Sequence, residues 1–151
     1  MSAGRFITAA ATALLLILGG GWVGQLHASQ KGTLPAIVGD LNDAQLIEVR
    51  DQNGQVLLHG TLKTSKDTPK ETEREATLES PSGQKAEGEF ETEIERKKGV
   101  TALEEVELSV KHLPAMTQCE LFIDGRHVTS LTTSQSGKAK LKLQRKSPAG
   151  K

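Results

Sequence analysis

The stretch ELFIDGRHVTSLTT sets an acid, a glycine, an arginine and a histidine side by side at Asp124-Gly125-Arg126-His127, between two apolar runs. An acid beside a histidine is the raw material of proton transfer, so this corner is either a working site or only a turn between strands. Three histidines, His59, His112 and His127, would make a metal centre if the fold drew them together. None pairs with another at i, i+2 on a strand or i, i+4 on a helix, so all three must converge in space. Scattered histidines at strand ends are the commoner outcome. Cys119, the single cysteine, alternates with Leu121 and Ile123 and has no basic neighbour in sequence to lower its pKa, which predicts a buried, inert thiol. Asp51-Gln52-Asn53-Gly54 opens like a calcium loop, but the glutamate that closes an EF-hand is replaced by Leu62, and a hairpin turn accounts for all four residues.

The most unusual stretch is a ladder of acids: Glu87, Glu89, Glu91, Glu93 and Glu95 alternate with Gly88, Phe90, Thr92 and Ile94. Its functional readings are a cation-binding face or a docking strip for a basic partner. The bland reading is the solvated side of a strand, paired across to Lys138, Lys140 and Lys142, and it is the favoured expectation. The serines fall in turns, and no Gly-x-Ser-x-Gly elbow, phosphate loop or dinucleotide fingerprint is present. No catalytic, cofactor-binding or metal-ligating residue is assigned, and no cofactor is expected.

The elements that would position these groups are strands. From Ala44 onward the dominant pattern is period-two alternation. An Asn-Gly pair between apolar runs predicts a hairpin at 51–54, with Val56, Leu58, Gly60 and Leu62 on the core side. Residues 63–75 are charged throughout and read as a solvated excursion that buries nothing, either a long loop or a ragged edge. A meander follows, with strands at 76–79, 85–96 and 101–112, and a bulge predicted at Glu104-Glu105, where Leu103 falls out of phase with Val106, Leu108 and Val110. Leu113-Pro114 ends that strand. Strands at 118–123, 126–133 and 138–145 complete the set, giving about eight short strands in an all-β antiparallel sandwich, Ig-like or a small barrel.

The N-terminus belongs to a different category. Arg5 precedes an uncharged run over residues 6–26, so residues 1–28 read as an apolar helix that serves as a signal peptide cut near Ala28 or as an N-terminal membrane anchor. Residues 29–43 read as a linker, 44–146 as the folded domain and 147–151 as a disordered tail. Beyond Ala28 the chain carries 18 of its 19 basic residues against 19 acids, which argues against nucleic acid as a partner. With one cysteine there is no internal disulfide, and Phe90 and Phe122 are the only aromatic residues after Trp22. That scarcity removes the platforms on which sugar and single-strand binding are usually built.

Residues 103–143 resemble a pattern found in small exported bacterial β-sandwich proteins. Leu113-Pro114, Asp124-Gly125 and Gly137 match it as they stand, while Ala115 replaces a usual Pro or Gly, and a Tyr is usual at Cys119 or its neighbour. The resemblance implies a fold and an exported location and transfers no active site. The expected protein is non-enzymatic and exported, with a binding or structural role at the cell envelope. It is periplasmic or secreted if cleaved, and otherwise held in the inner membrane through residues 6–26. Its partner is another envelope protein or itself. The alternative is a small envelope metal-binding protein or enzyme using His59, His112 and His127.

Overall fold

The computed structural model of the chain describes residues 28–147, so residues 1–27 of the signal-peptide or anchor reading of 1–28, and residues 148–151 of the tail read at 147–151, lie outside the described residues. Ten strands form one sheet: β1 Ala28–Thr33, β2 Leu46–Asp51, β3 Val56–Thr61, β4 Lys63–Asp67, β5 Glu71–Glu79, β6 Glu87–Lys97, β7 Val100–Lys111, β8 Gln118–Ile123, β9 Arg126–Thr132 and β10 Ala139–Lys146. The strand order is β1-β10-β7-β6-β5-β3-β2-β8-β9, with β4 added beside β5. Every pairing is antiparallel except that of β1 with β10. β9 and β10 follow one another in the chain, yet β9 ends this path and β10 stands one strand from its other end. The sheet therefore curls almost into a barrel, and it is this small-barrel form, not an Ig-like pair of sheets, that the chain adopts.

One face of every strand but β1 and β4 fills the interior. Ile47, Val49, Leu58, Leu78, Phe90, Ile94, Val106, Leu108, Leu121 and Ile123 are buried there, the period-two pattern the sequence predicts. Leu58 and Leu62 are buried as expected, while Val56 is only half-buried. At Gly60 a Cβ would lie 2.4 Å from the Thr77 carbonyl oxygen, so glycine is what lets β3 approach β5. At 51–54 the hairpin closes through Gly54 N–H to Asp51 O (3.0 Å) and Asp51 N–H to Gln55 O (2.9 Å).

Four expectations need correction. Residues 29–43 are no linker: β1 pairs with β10, and Leu34, Val38 and Leu41 are buried in a strap, residues 34–44, that contains a 3-10 turn at Ala36–Val38. The strap links β1 to β2 and is held by arginines of β5, β9 and β10 that donate to its carbonyls. Arg145 reaches Pro35 (3.2 Å) and Gly39 (2.8 Å), Arg126 reaches Ile37 and Val38 (both 3.4 Å), and Arg74 reaches Leu41, Asn42 and Ala44 (3.0, 2.9 and 2.5 Å).

Residues 63–75 bury more than expected: β4 is an exposed edge strand, but the start of β5 pairs with β6, and Thr72 and Arg74 are buried. The bulge falls at Ala102, where Glu95 faces Leu103 and Arg96 faces Thr101, not at Glu104-Glu105. Glu104 keeps the inward phase, only 9% exposed, because its register partner Arg145 meets it with Nε 2.6 Å from a carboxylate oxygen. Finally, the strand count among the described residues is ten and not eight, because β1 and β4 pair without burying a face. β4 is exposed at every residue, and none of residues 29–33 in β1 is buried. A ladder hydrogen bond returns about 0.5–1.5 kcal/mol net, while ordering one residue's backbone costs about 1–2 kcal/mol, so β1 gains nothing that holds it firmly.

Candidate functional site

Asp124-Gly125 is a turn. Both residues take positive φ, 50° and 74°, and Ile123 faces Arg126 across it, which is the two-residue reversal that right-twisted strands accept. The Asp124 carboxylate accepts the backbone N–H groups of Gln45 (3.0 Å) and Leu46 (2.8 Å), tying this corner to the start of β2. Arg126 serves the strap. His127 is exposed and meets the Phe122 ring edge-on at 5.4 Å, while Arg50 lies 4.3 Å over the same ring. Acid, arginine and histidine thus each have separate work, and no proton-transfer pair is assembled.

The histidines stay apart in the fold. His59 lies on β3 opposite Glu79, His112 follows the end of β7 with φ 59°, and His127 is on β9. Among the described residues no three His, Cys, Asp or Glu side chains are grouped to hold a metal ion. Cys119 is buried, and burial, with the nearby Asp51 charge, pushes its thiol pKa up, away from the reactive thiolate. The Asp51 carboxylate accepts the N–H groups of Asn53 (2.8 Å) and Gln55 (2.9 Å), the bonding of a turn.

What the fold does assemble is acidic. The glutamates of β6 lie on its outer face, and the two neighbouring strands present glutamates on the same face in register. Glu73 faces Glu93, which faces Glu105; Glu75 faces Glu91, which faces Glu107; Glu71 faces Glu95, and Glu79 faces Glu87. The expected pairing of the ladder with Lys138, Lys140 and Lys142 does not occur, because β10 lies beyond β7. Lys142 reaches only β7, bonding Glu105 and Glu107. Lys66 holds Glu71 (2.6 Å) and Glu73 (2.9 Å) at one margin, and Lys111 lies 3.6 Å from Glu87 at one end. Among the described residues no basic side chain lies within salt-bridge distance of Glu89, Glu91, Glu93 or Glu95.

Titration follows this geometry. Burial, then the charges of Glu75, Glu107 and Glu89, raises the Glu91 carboxyl above its ordinary value. Burial, then a hydrogen bond with Glu71 and the charges of Glu71, Glu105 and Glu95, raises Glu93. At the margins the direction reverses. Burial pushes Glu105 up but is outweighed by hydrogen bonds from Lys142 and Gln144, and Lys66 lowers Glu71. Beside the rows lies a shallow groove of about 850 Å³, whose lining includes His59, Lys63, Glu75, Glu79, Glu89 and Glu91.

Reading the sequence locates the β6 ladder and misses the two that flank it. The alternation of Glu71, Glu73 and Glu75 in ETEREATLE, and of Glu105 and Glu107 in EEVELSV, is the signal that would have found them. Compared with family models, with curated proteins and with solved structures, the chain matches none.

Proposed function

We propose that this chain is an exported, non-enzymatic β-barrel module of the cell envelope that docks a basic polypeptide segment against the outer face of β5, β6 and β7. The observation that carries the reading is the direct opposition of glutamates in the Glu73–Glu93–Glu105 and Glu75–Glu91–Glu107 rows. Like charges directly across a ladder destabilise a sheet, and alternating lysines would have solvated the same face without that cost. A local rule broken repeatedly on one face is the mark of a site kept for something other than stability. A chain of positive charges relieves the repulsion as it binds, and the strand lattice spaces the carboxylates for an extended lysine- or arginine-rich segment. Export rests on the apolar run at residues 6–26 and agrees with the resemblance to small exported bacterial β-proteins.

The test is a titration of an oligolysine peptide, labelled for anisotropy, into the full chain at low and high salt. Binding is expected at low salt, weakened severalfold by E91Q/E93Q and left unchanged by E120Q on β8, away from the rows. Equal affinity for wild type and E91Q/E93Q would sink the proposal.

A further inference from the structure

We propose that β1 is an exchangeable strand, and that the outer edge of β10 accepts β1 from a second copy of this chain. The inference does not rest on the acidic face: it concerns β1 and β10, which lie beside β7 at one end of the strand order. β1 pairs in parallel with β10 from Ala28↔Ala139 to Thr33↔Gln144. Of its residues, Ser29, Lys31, Gly32 and Thr33 are exposed and Gln30 is half-buried, so no side chain from 29 to 33 anchors it in the core. What holds the strand is a backbone ladder, and the same ladder forms whichever copy supplies it. Anchoring begins only at Leu34, 1% exposed, whose N–H donates to Gln144 O at 2.9 Å. The strap that follows remains fixed by Arg145, Arg126 and Arg74 when β1 leaves. A hinge at Gly32-Thr33, just before the anchored Leu34 and Pro35, therefore separates a loose strand from a firm one.

The edge also selects its occupant. At Gly32 a Cβ would lie 3.1 Å from Leu143 Cδ2, so a strand with a side chain at that register fits only if this leucine gives by a few tenths of an ångström. SQKGT, with glycine at that place, fits as it stands, and a second copy carries it. Because β1 runs in the same direction as β10, reciprocal exchange joins two barrels at their strap ends and sets the two Ala28 positions at the far ends.

The test uses the full chain with Cys119 replaced by Ala and single cysteines at register partners, S29C in one preparation and K140C in a second carrying a size tag. The double variant S29C/K140C should close within one chain, which checks the pairing itself. Mixed single variants, incubated and then oxidised, should give a disulfide-linked heterodimer, in yield several times that of S29C mixed with K111C, a surface cysteine on β7 outside the register. Closure within the double variant with no heterodimer in the mixture would overturn exchange. Equal yields from K140C and K111C would overturn it as well, since chance collision then suffices. Failure of the double variant to close would remove the β1–β10 pairing on which the inference stands.

Discussion

Glu91→Gln should stabilise the protein. Glu91 faces Glu75 on one side and Glu107 on the other. Opposed residues of antiparallel strands have Cβ atoms about 5 Å apart, which places the carboxylates roughly 6 Å from one another. Two unit charges at that distance repel by about 0.7 kcal/mol in water, and salt at physiological strength, with a screening length of about 8 Å, roughly halves this. Two neighbours then give about 0.7 kcal/mol. Lys142, 2.7 Å from Glu107, offsets part of that half and leaves about 0.5 kcal/mol. For a domain of this size that is a rise in Tm of about 2 °C, doubling at low salt and vanishing in about 1 M salt.

The same variant should change the response to pH. Burial and the neighbouring glutamates raise Glu91 above its ordinary value, so the folded chain holds a proton at pH values where the unfolded chain has released it. The stability this group contributes is complete below the ordinary glutamate range and lost as pH rises through the raised folded value. Wild type should therefore gain more than E91Q on mild acidification from neutral pH, and the two melting curves should converge. Urea and thermal melts at two salt concentrations and a series of pH values measure both effects. If E91Q were less stable than wild type at low salt, the carboxylates would not be opposed as the register requires, and the reasoning would fail.

Arg74→Met should cost about 2–3 kcal/mol, because three strap carbonyls lose their donor while staying partly or wholly buried; a urea midpoint equal to wild type would mean that water serves them as well. Gly125→Val should cost about 1–3 kcal/mol for a β-branched residue forced to φ 74°, read from the same denaturation series. His127→Ala should change stability by no more than about 0.5 kcal/mol, since only an edge contact with Phe122 is lost, and loss of oligolysine binding in that variant with the fold intact would show that this corner belongs to the site.

Alternation makes legible every strand that buries one face. β2, β3, β6, β7, β8, β9 and β10 all lie near their predicted positions because Val, Leu and Ile repeat with the pleat. β1 and β4 carry no such repeat, since neither buries a face. Residues 29–43 deceive for another reason. Gly, Pro, Asp and Asn look like a linker, and Leu34, Val38 and Leu41, spaced i, i+4 and i+7, are too few to sustain a helical period, yet all three are buried in the strap. Its partners, Arg74, Arg126 and Arg145, are distant in sequence and look like solvent charges until β5, β9 and β10 are placed around it. The bulge is misread through Glu104, because an inward acid looks like a slip of phase unless its partner Arg145 is known.

The acidic face was legible only as a single row, and the difference decides its meaning. A ladder of glutamates on one strand is harmless when lysines stand opposite, and that pairing is the ordinary arrangement. Strand order removes this possibility, since β6 lies between β5 and β7, both acidic on the same side. The sheet bears the repulsion because its stability comes from the other face. There Leu78, Phe90, Ile94, Val106 and Leu108 from the same three strands are buried, each contributing about 1.5–3 kcal/mol against a few tenths for each opposed pair outside. Core and outer face are thus separable along one strand, residue by residue. A basic segment that neutralises the rows recovers the repulsion without disturbing the interior. Its binding should therefore raise Tm by at least as much as replacing the same carboxylates with glutamine.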